Sequence, residues 1–328
     1  MLISMNNNIA WRFAPMEGIT SYRYRSLHAE MFPGVEQYYA PFIAPDGTGR
    51  FRIASVRDLL PENNPDLCLV PQILCNRAEA FLAVSRELAA MGYREVDLNA
   101  GCPSGTVVPK HKGAGMLADL RSLDDFLAEI FSRCPLRISV KTRLGLESTA
   151  EFPSILEIYN KYPLSELIIH ARDRKGLYRS VPDLEVFAAA AADARSPICY
   201  NGNVFTCASL ERLQALVPAL DRVMLGRGAV CDPALFRRLR GGAPLSCEEL
   251  REFLDRLLDR YLSTGLDAHH ALGCMKEIWY YSSWMFPDSK ALLKRLNKAR
   301  SLEEYRDAAA ALFRSGLFSP SASFPDPV

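Results

Sequence analysis

Short apolar runs alternate, over the first two-thirds of the chain, with longer segments whose apolar residues recur every three or four positions. The runs 9–14, 37–42, 67–73, 95–99, 137–142, 166–170, 197–201 and 222–226 read as eight strands. Between several of them, 77–91, 122–133 and 206–216 read as helices. In the first of these, Ala78, Phe81, Leu82, Leu88 and Ala89 fall at spacings that build one apolar face. Strands alternating with helices in this way predict an α/β fold of the (β/α)₈ TIM-barrel type. A doubly wound sheet is the alternative, but such sheets open with a glycine-rich turn after the first strand. Here that strand runs instead into Ala14-Pro15-Met16-Glu17-Gly18. From about Pro244 onward helical periodicity stands alone. The predicted organisation is a barrel over 1–240, a small all-helical domain over 241–318 and a disordered tail, rich in proline and serine, over 319–328.

Composition narrows the class. The 328 residues suffice for one barrel and a small second domain, and with 49% hydrophobic residues a sizeable core can be buried. No apolar run approaches the roughly 20 residues of a membrane helix. Residues 1–10 lack the basic-then-apolar pattern of an export signal. Nine scattered cysteines, with no CxxC pair and no cysteine–histidine cluster, argue for reduced thiols in the cytoplasm and against a structural metal. A net charge of +1 makes no case for nucleic acid by itself, so a polyanionic partner requires cations gathered on one face.

The strand ends carry the chemistry. Gln72, Asn99, Lys141 and His170 end the third to sixth strands, Asn201-Gly202 the seventh and Gly226-Arg227-Gly228 the eighth. In a barrel these ends converge on one rim, where active sites sit. Each residue alone has an ordinary structural role, but six polar ends after six apolar runs require a polar ligand. The loops after strands seven and eight, with Asn201-Gly202-Asn203 and Gly226-Arg227-Gly228, suit a phosphate: glycine lets backbone N–H groups approach, and Arg227 adds a forked cation. Lys141 and His170 could meet a flat heterocycle on the same rim, with Gln72 at its carbonyl edge, and a flavin mononucleotide fits this set.

The most specific stretch is Asp97-Leu98-Asn99-Ala100-Gly101-Cys102-Pro103-Ser104, which sets a cysteine on a turn just past a buried strand. Together with Lys112-Gly113-Ala114-Gly115 it resembles the signature of the tRNA-dihydrouridine synthase family, flavin enzymes that reduce selected uridines in tRNA. The resemblance extends over most of the chain. It implies that Pro15 and Met16 lie against FMN, that Gln72, Lys141 and His170 contact it, and that Asn201, Gly202, Asn203, Gly226 and Arg227 hold its phosphate. It further implies that Asn99 and Arg172 meet the substrate and that Cys102 is the catalytic acid. In that chemistry reduced flavin delivers a hydride from N5 to C6 of uracil while Cys102 protonates C5, with NADPH as reductant. A thiol in water is mostly protonated at neutral pH, as an acid must be.

Two departures from the family pattern stand out. The chain reads His170-Ala171-Arg172-Asp173 where the family often has His-Gly-Arg-Thr, placing a carboxylate that could pair with Arg172 or Arg174. The polar segment 47–65 has no family counterpart and reads as a surface loop with a short helix. In the helical domain, Lys290, Lys294, Arg295 and Lys298 form a stripe at helical spacing that the family's tRNA-binding helices suggest contacts phosphates. Trp279, Tyr280, Tyr281 and Trp284 lie upstream, available to a core or to bases. The reading is an FMN- and NADPH-dependent enzyme acting on tRNA as a monomer. The rivals are an FMN TIM-barrel oxidoreductase acting on a small molecule, which gives the helical domain no use, and a tRNA-binding protein without catalysis.

Overall fold

The computed structural model describes residues 9–45 and 53–325. Its strands are β1 (Ala10–Phe13), β2 (Gln37–Tyr39), β3 in two halves (Leu69–Val70 and Gln72–Ile73), β4 (Glu95–Ala100), β5 (Arg137–Gly145), β6 (Leu167–Asp173), β7 (Ile198–Asn201) and β8 (Arg222–Leu225). All pair in parallel, in the ring β3–β2–β1–β8–β7–β6–β5–β4–β3. The first half of β3 bonds to β2 and the second to β4. Pro71 lies between them and has no N–H to donate, so the strand changes partner there. The eight runs read from the sequence are these strands.

Helices α1 (Tyr22–Met31), α2 (Ile53–Leu59), α3 (Ala78–Ala90), α4 (Leu120–Arg133), α5 (Phe152–Tyr159), α6 (Leu184–Asp193) and α7 (Cys207–Leu216) follow the strands in turn. After β8 come α8 (Arg227–Cys231) and α9 (Leu235–Leu239). Side-chain caps set the helix starts: Asp119 accepts from the Arg121 and Ser122 amides, so α4 begins at Leu120, two residues before the start read from its apolar spacing. Thr206 and Ser209 form a capping box at α7.

Most of the apolar core lies between the barrel and its helices, while Ala14, Tyr39, Val70, Ile168, Cys199 and Met224 form a separate small cluster. These six come one from each of six strands or strand ends, as the interior layer of a barrel does. At the N-terminal ends of the strands, Glu166 accepts from Arg12 (3.1 Å) and from the Tyr39 hydroxyl (3.0 Å). His28 of α1 is fully buried between the Tyr38 hydroxyl (2.9 Å) and the Pro233 carbonyl (3.0 Å).

Helices α10 (Cys247–Ser263), α11 (Ala268–Ser282), α12 (Lys290–Lys298) and α13 (Leu302–Phe313) complete the described chain, with α10 packed on α1 and α11 on α8. Trp279 is buried and donates to the Tyr305 hydroxyl at 2.8 Å, so this aromatic belongs to a core. Of the segment 47–65, residues 47–52 lie outside the described residues, and the rest forms α2 and a 3₁₀ turn (Pro61–Asn63). That segment is tied inward: the buried Arg25 donates to Asp58 (3.0 Å) and to Asn64 (2.9 Å). Of the tail, Phe324 packs against Phe205 and Tyr281. No helix among the described residues is long and apolar enough to cross a membrane.

Candidate active site

The C-terminal ends of β3 to β6 and the loop after β1 surround a pocket of about 250 Å³. Seven sequence-predicted residues line it: Pro15, Met16, Gln72, Asn99, Cys102, Lys141 and His170. Sheet register explains the gathering, since β4 and β5 pair Asn99 with Lys141, and β5 and β6 pair Arg143 with His170. Residues two apart on one strand share a face, which puts Lys141 and Arg143 on the same wall.

Three clamps hold the cysteine turn. Asn99 Oδ1 accepts from the amides of Gly101 (3.1 Å) and Cys102 (2.8 Å), while its Nδ2 donates to Gln72 Oε1 (2.8 Å). Arg143 Nε donates to the Gly101 carbonyl at 2.9 Å, and its Nη1 to the Asp173 carbonyl at 2.9 Å. From below, the Ala114 amide donates to the Cys102 carbonyl at 3.1 Å. Gly113 makes that approach possible, because a Cβ there would lie 2.8 Å from the Cys102 carbonyl oxygen. Cys102 is left half-buried on the pocket wall.

The electrostatics of the rim are lopsided. His170 is held well below its ordinary value, first by burial and then by Arg143, Lys141, Arg172 and Arg227. It is neutral, and because Arg172 Nη1 lies 3.1 Å from Nε2 and must donate, Nδ1 carries the proton. Burial, then the Arg143 cation, lowers Lys141 to about 8. Arg172 is fully buried and off the pocket wall, donating to the Ser180 carbonyl at 2.6 Å. Burial, then Arg227, lowers it to about 10, and its Nη2 has no partner among the described residues. Asp173 pairs with neither Arg172 nor Arg174 among the described residues; its carboxylate caps a turn by accepting from the Gly176 amide. An orphaned buried donor amid four cations is the environment an anionic ligand relieves.

The predicted phosphate loops lie behind this pocket. Tyr178 lines the pocket and its ring stands 4.2 Å from the Arg227 guanidinium, which also faces Phe324 at 5.0 Å. Arg227 donates to Asn203 Oδ1 at 2.8 Å, and Asn201 Nδ2 to the Met224 carbonyl at 2.9 Å. Gly226 lets the end of β8 lie against β1: an added Cβ would sit 3.3 Å from that of Ala14. At Gly202 it would collide with the Tyr200 hydroxyl. These five residues are thus gathered with each other, with Tyr178 between Arg227 and the cysteine pocket.

Lys290, Lys294, Arg295 and Lys298 are all exposed on α12, away from the pocket wall. The last three share a groove with Glu303, Glu304 and Asp307 of α13. Tyr281 of α11 lines the pocket, whereas Tyr280 and Trp284 are 65% and 46% exposed. Sequence reasoning missed Arg143, Asp97 and Tyr178, and named Tyr281 only among aromatics open to a core or to bases. Arg143 and Asp97 had a signal, each standing two positions from a chosen residue on one strand. Tyr178 had none, since nothing in the sequence fixes the path of its loop. Among the described residues no group of three or more His, Cys, Asp or Glu is placed to hold a metal.

Comparisons bear on what this arrangement is. The chain is 27% identical over 321 residues to a tRNA-dihydrouridine(16) synthase of Cupriavidus necator, covering 91% of this chain and 98% of that one. It is 25% identical to tRNA-dihydrouridine synthase B of Pseudomonas putida, over 82% of this chain and 78% of that one. In fold it resembles the old yellow enzyme homologue from Zymomonas mobilis, with a TM-score of 0.51 at 11% identity, covering 72% and 89%. The dihydrouridine synthase family model matches residues 12–312, and with the barrel and its cysteine rim the chain belongs to that family.

Proposed function

We propose that this protein reduces a uridine of tRNA to 5,6-dihydrouridine, with FMN as resident cofactor and NADPH as reductant, acting as a monomer. The observation that carries the reading is Cys102 on a clamped turn, facing a pocket it shares with Lys141 and His170 in a family member. The donor set suits FMN: four cations with one orphaned donor suit a phosphorylated anion, and Gln72, on the pocket wall, has a second Nε2 hydrogen beyond the one it gives to Asp97. Arg227, Asn203 and the Gly202 and Gly226 backbones would hold the phosphate, and Lys141 and His170 the ring. Bound flavin supplies the hydride that adds to C6 of uracil.

The chain's own residues do the rest. Cys102 holds a proton on Sγ and gives it to C5, completing the addition of two hydrogens. Its position, rather than an activated thiolate, is what the clamps provide. Lys141 supplies positive charge on the rim, and neutral His170 can donate only from Nδ1. Arg172, enclosed behind His170, fixes that tautomer; its part in substrate binding would run through the imidazole. The barrel over 1–240 would carry the cofactor and the helices over 241–318 the tRNA, with Lys290, Lys294, Arg295 and Lys298 along its phosphates. Position 16, named in the Cupriavidus relative, is the target we propose.

The test is mass spectrometry of nuclease-digested tRNA after incubation with the protein, FMN and NADPH. A two-hydrogen gain on one uridine, abolished or greatly slowed in Cys102→Ala, is expected. A yellow protein that oxidises NADPH and leaves every tRNA unchanged would refute the tRNA assignment in favour of a small-molecule reductase.

A further inference from the structure

The interior of this barrel carries polar residues beside its apolar cluster. Six strands or strand ends contribute the apolar cluster of Ala14, Tyr39, Val70, Ile168, Cys199 and Met224. Beside it, register aligns Gln72, Asp97 and Ser139 in one row across β3, β4 and β5. Asp97 is fully buried, and both of its oxygens are engaged: Oδ1 accepts from the Ser139 hydroxyl at 2.8 Å and Oδ2 from Gln72 Nε2 at 2.7 Å. A carboxylic acid here costs more than another apolar side chain would, so the row needs a reason.

The reason lies in the direction of the hydrogen bonds. Gln72 Nε2 gives to Asp97, so Gln72 Oε1 must face Asn99, whose Nδ2 donates to it at 2.8 Å. Asn99 Oδ1 is then turned toward the amides of Gly101 and Cys102. Two amide side chains could each point either way; the ends of the chain decide. At one end backbone N–H groups can only donate. At the other the acid presents an acceptor. Reversed, Asn99 would set its NH₂ against two N–H groups, and the turn would lose its hold.

We infer that Asp97 is a positioning residue for Cys102: by accepting from Gln72 it sets the orientation of the Gln72 and Asn99 amides, and through them the cysteine turn. This rests on the reading of Cys102 as the acid of the reaction. It is an acceptor role, not one of charge. Burial pushes the Asp97 carboxyl up to about 7, so near neutrality the acid and its anion are both populated. Either form keeps an oxygen free for Gln72, because the Ser139 hydroxyl can accept a hydrogen bond from the protonated acid as readily as donate one to the anion.

Two substitutions at Asp97 separate this from a merely structural role. Asp97→Asn retains an oxygen for Gln72 by turning its NH₂ toward Ser139; Asp97→Leu has no acceptor. The readout is the alkylation rate of Cys102 by iodoacetamide, followed on its own peptide, with Cys134 as internal control, alongside kcat and KM for tRNA. In Asp97→Leu, Cys102 is expected to react about tenfold faster at an unchanged Cys134 rate, and kcat to fall at least tenfold with KM within about threefold. Asp97→Asn should stay within about threefold of the parent in all three. Should Asp97→Leu not fold, Gln72→Met breaks the same relay one step on and should free Cys102 equally. A Gln72→Met protein alkylated at the parent rate, or an Asn variant as impaired as the Leu variant, overturns the inference. Alkylation needs no tRNA, so the expected pattern in a protein that reduces no tRNA would leave the positioning role standing and remove the proposed activity instead.

Discussion

Gly113→Ala offers the sharpest perturbation of the site, because its cost can be worked out in two separable parts. Gly113 has φ +55°, and an L-residue held there costs about 1–2 kcal/mol. The added methyl would lie 2.8 Å from the Cys102 carbonyl oxygen, 2.9 Å from the Cys102 Cβ and 3.0 Å from Val107 Cγ1, and overpacking of this kind costs about 1–3 kcal/mol. The sum, roughly 2–5 kcal/mol, is met either by loss of stability or by displacement of Cys102. Since misplacing a reacting group by about 1 Å can cost ~100-fold in rate, kcat should fall well over tenfold even where the fold survives. Gly92→Ala is the matched control. It too has positive φ, at +95°, but nothing within 4 Å of the added carbon. It should lose about 1–2 kcal/mol in urea unfolding and leave kcat unchanged. Saturating-tRNA turnover and urea unfolding of both variants check the reasoning. Equal kcat in Gly113→Ala and the parent would refute the claim that this turn positions the cysteine.

Two further predictions concern protons. Lys141 loses its proton near pH 8 in the free protein, so FMN affinity, read by fluorescence quenching, should weaken above pH 8, while in Lys141→Arg it should hold flat to beyond pH 9. His28 is a base whose folded value, about 3, lies below that of the unfolded chain; the unfolded state therefore binds the extra proton, and stability present above about pH 6.5 is lost as pH falls toward 3. The stability advantage of the parent over His28→Asn should shrink by about 1.6 kcal/mol in all between pH 6.5 and 5, and a pH-independent difference in urea unfolding would rule this out.

The barrel was legible because its signal is local: a strand's apolar run and a helix's three-and-four spacing are written within a dozen residues. The cysteine turn was legible for the same reason, since Gly101 and Pro103 end a buried strand. What side chains do across strands was not. Asn99, expected to meet substrate, lines the pocket; that its amide also ties Gln72 to the cysteine turn is revealed only by the register of β3 and β4. Arg172 shares a face with His170, as period two demands, but the loop after β6 folds over it and encloses it with the Ser180 carbonyl. The start of α4 shifted for a nearer cause, the cap at Asp119, which apolar spacing does not register.

A net charge of +1 and a rim of four cations are compatible because most of the acids are paired elsewhere. Glu166 meets Arg12 and Arg222 at the other end of the strands, Glu249 meets Arg237, and Glu30 meets Arg256 and Arg260. Glu17 on the pocket wall is pushed up by burial and by Asp58, and Asp173 is committed to the Gly176 amide. Lys141, Arg143, Arg172 and Arg227 therefore repel one another, offset only in part by Asp97 near Lys141 and Asp173 near Arg143, and the remainder is a cost that folding alone gives no reason to accept. The cost is recovered when an anion enters. A neutral small molecule would leave it in place, whereas a phosphorylated cofactor supplies charge at the Arg227 end. Placement of charge, rather than its sum, is what suits this rim to a nucleotide.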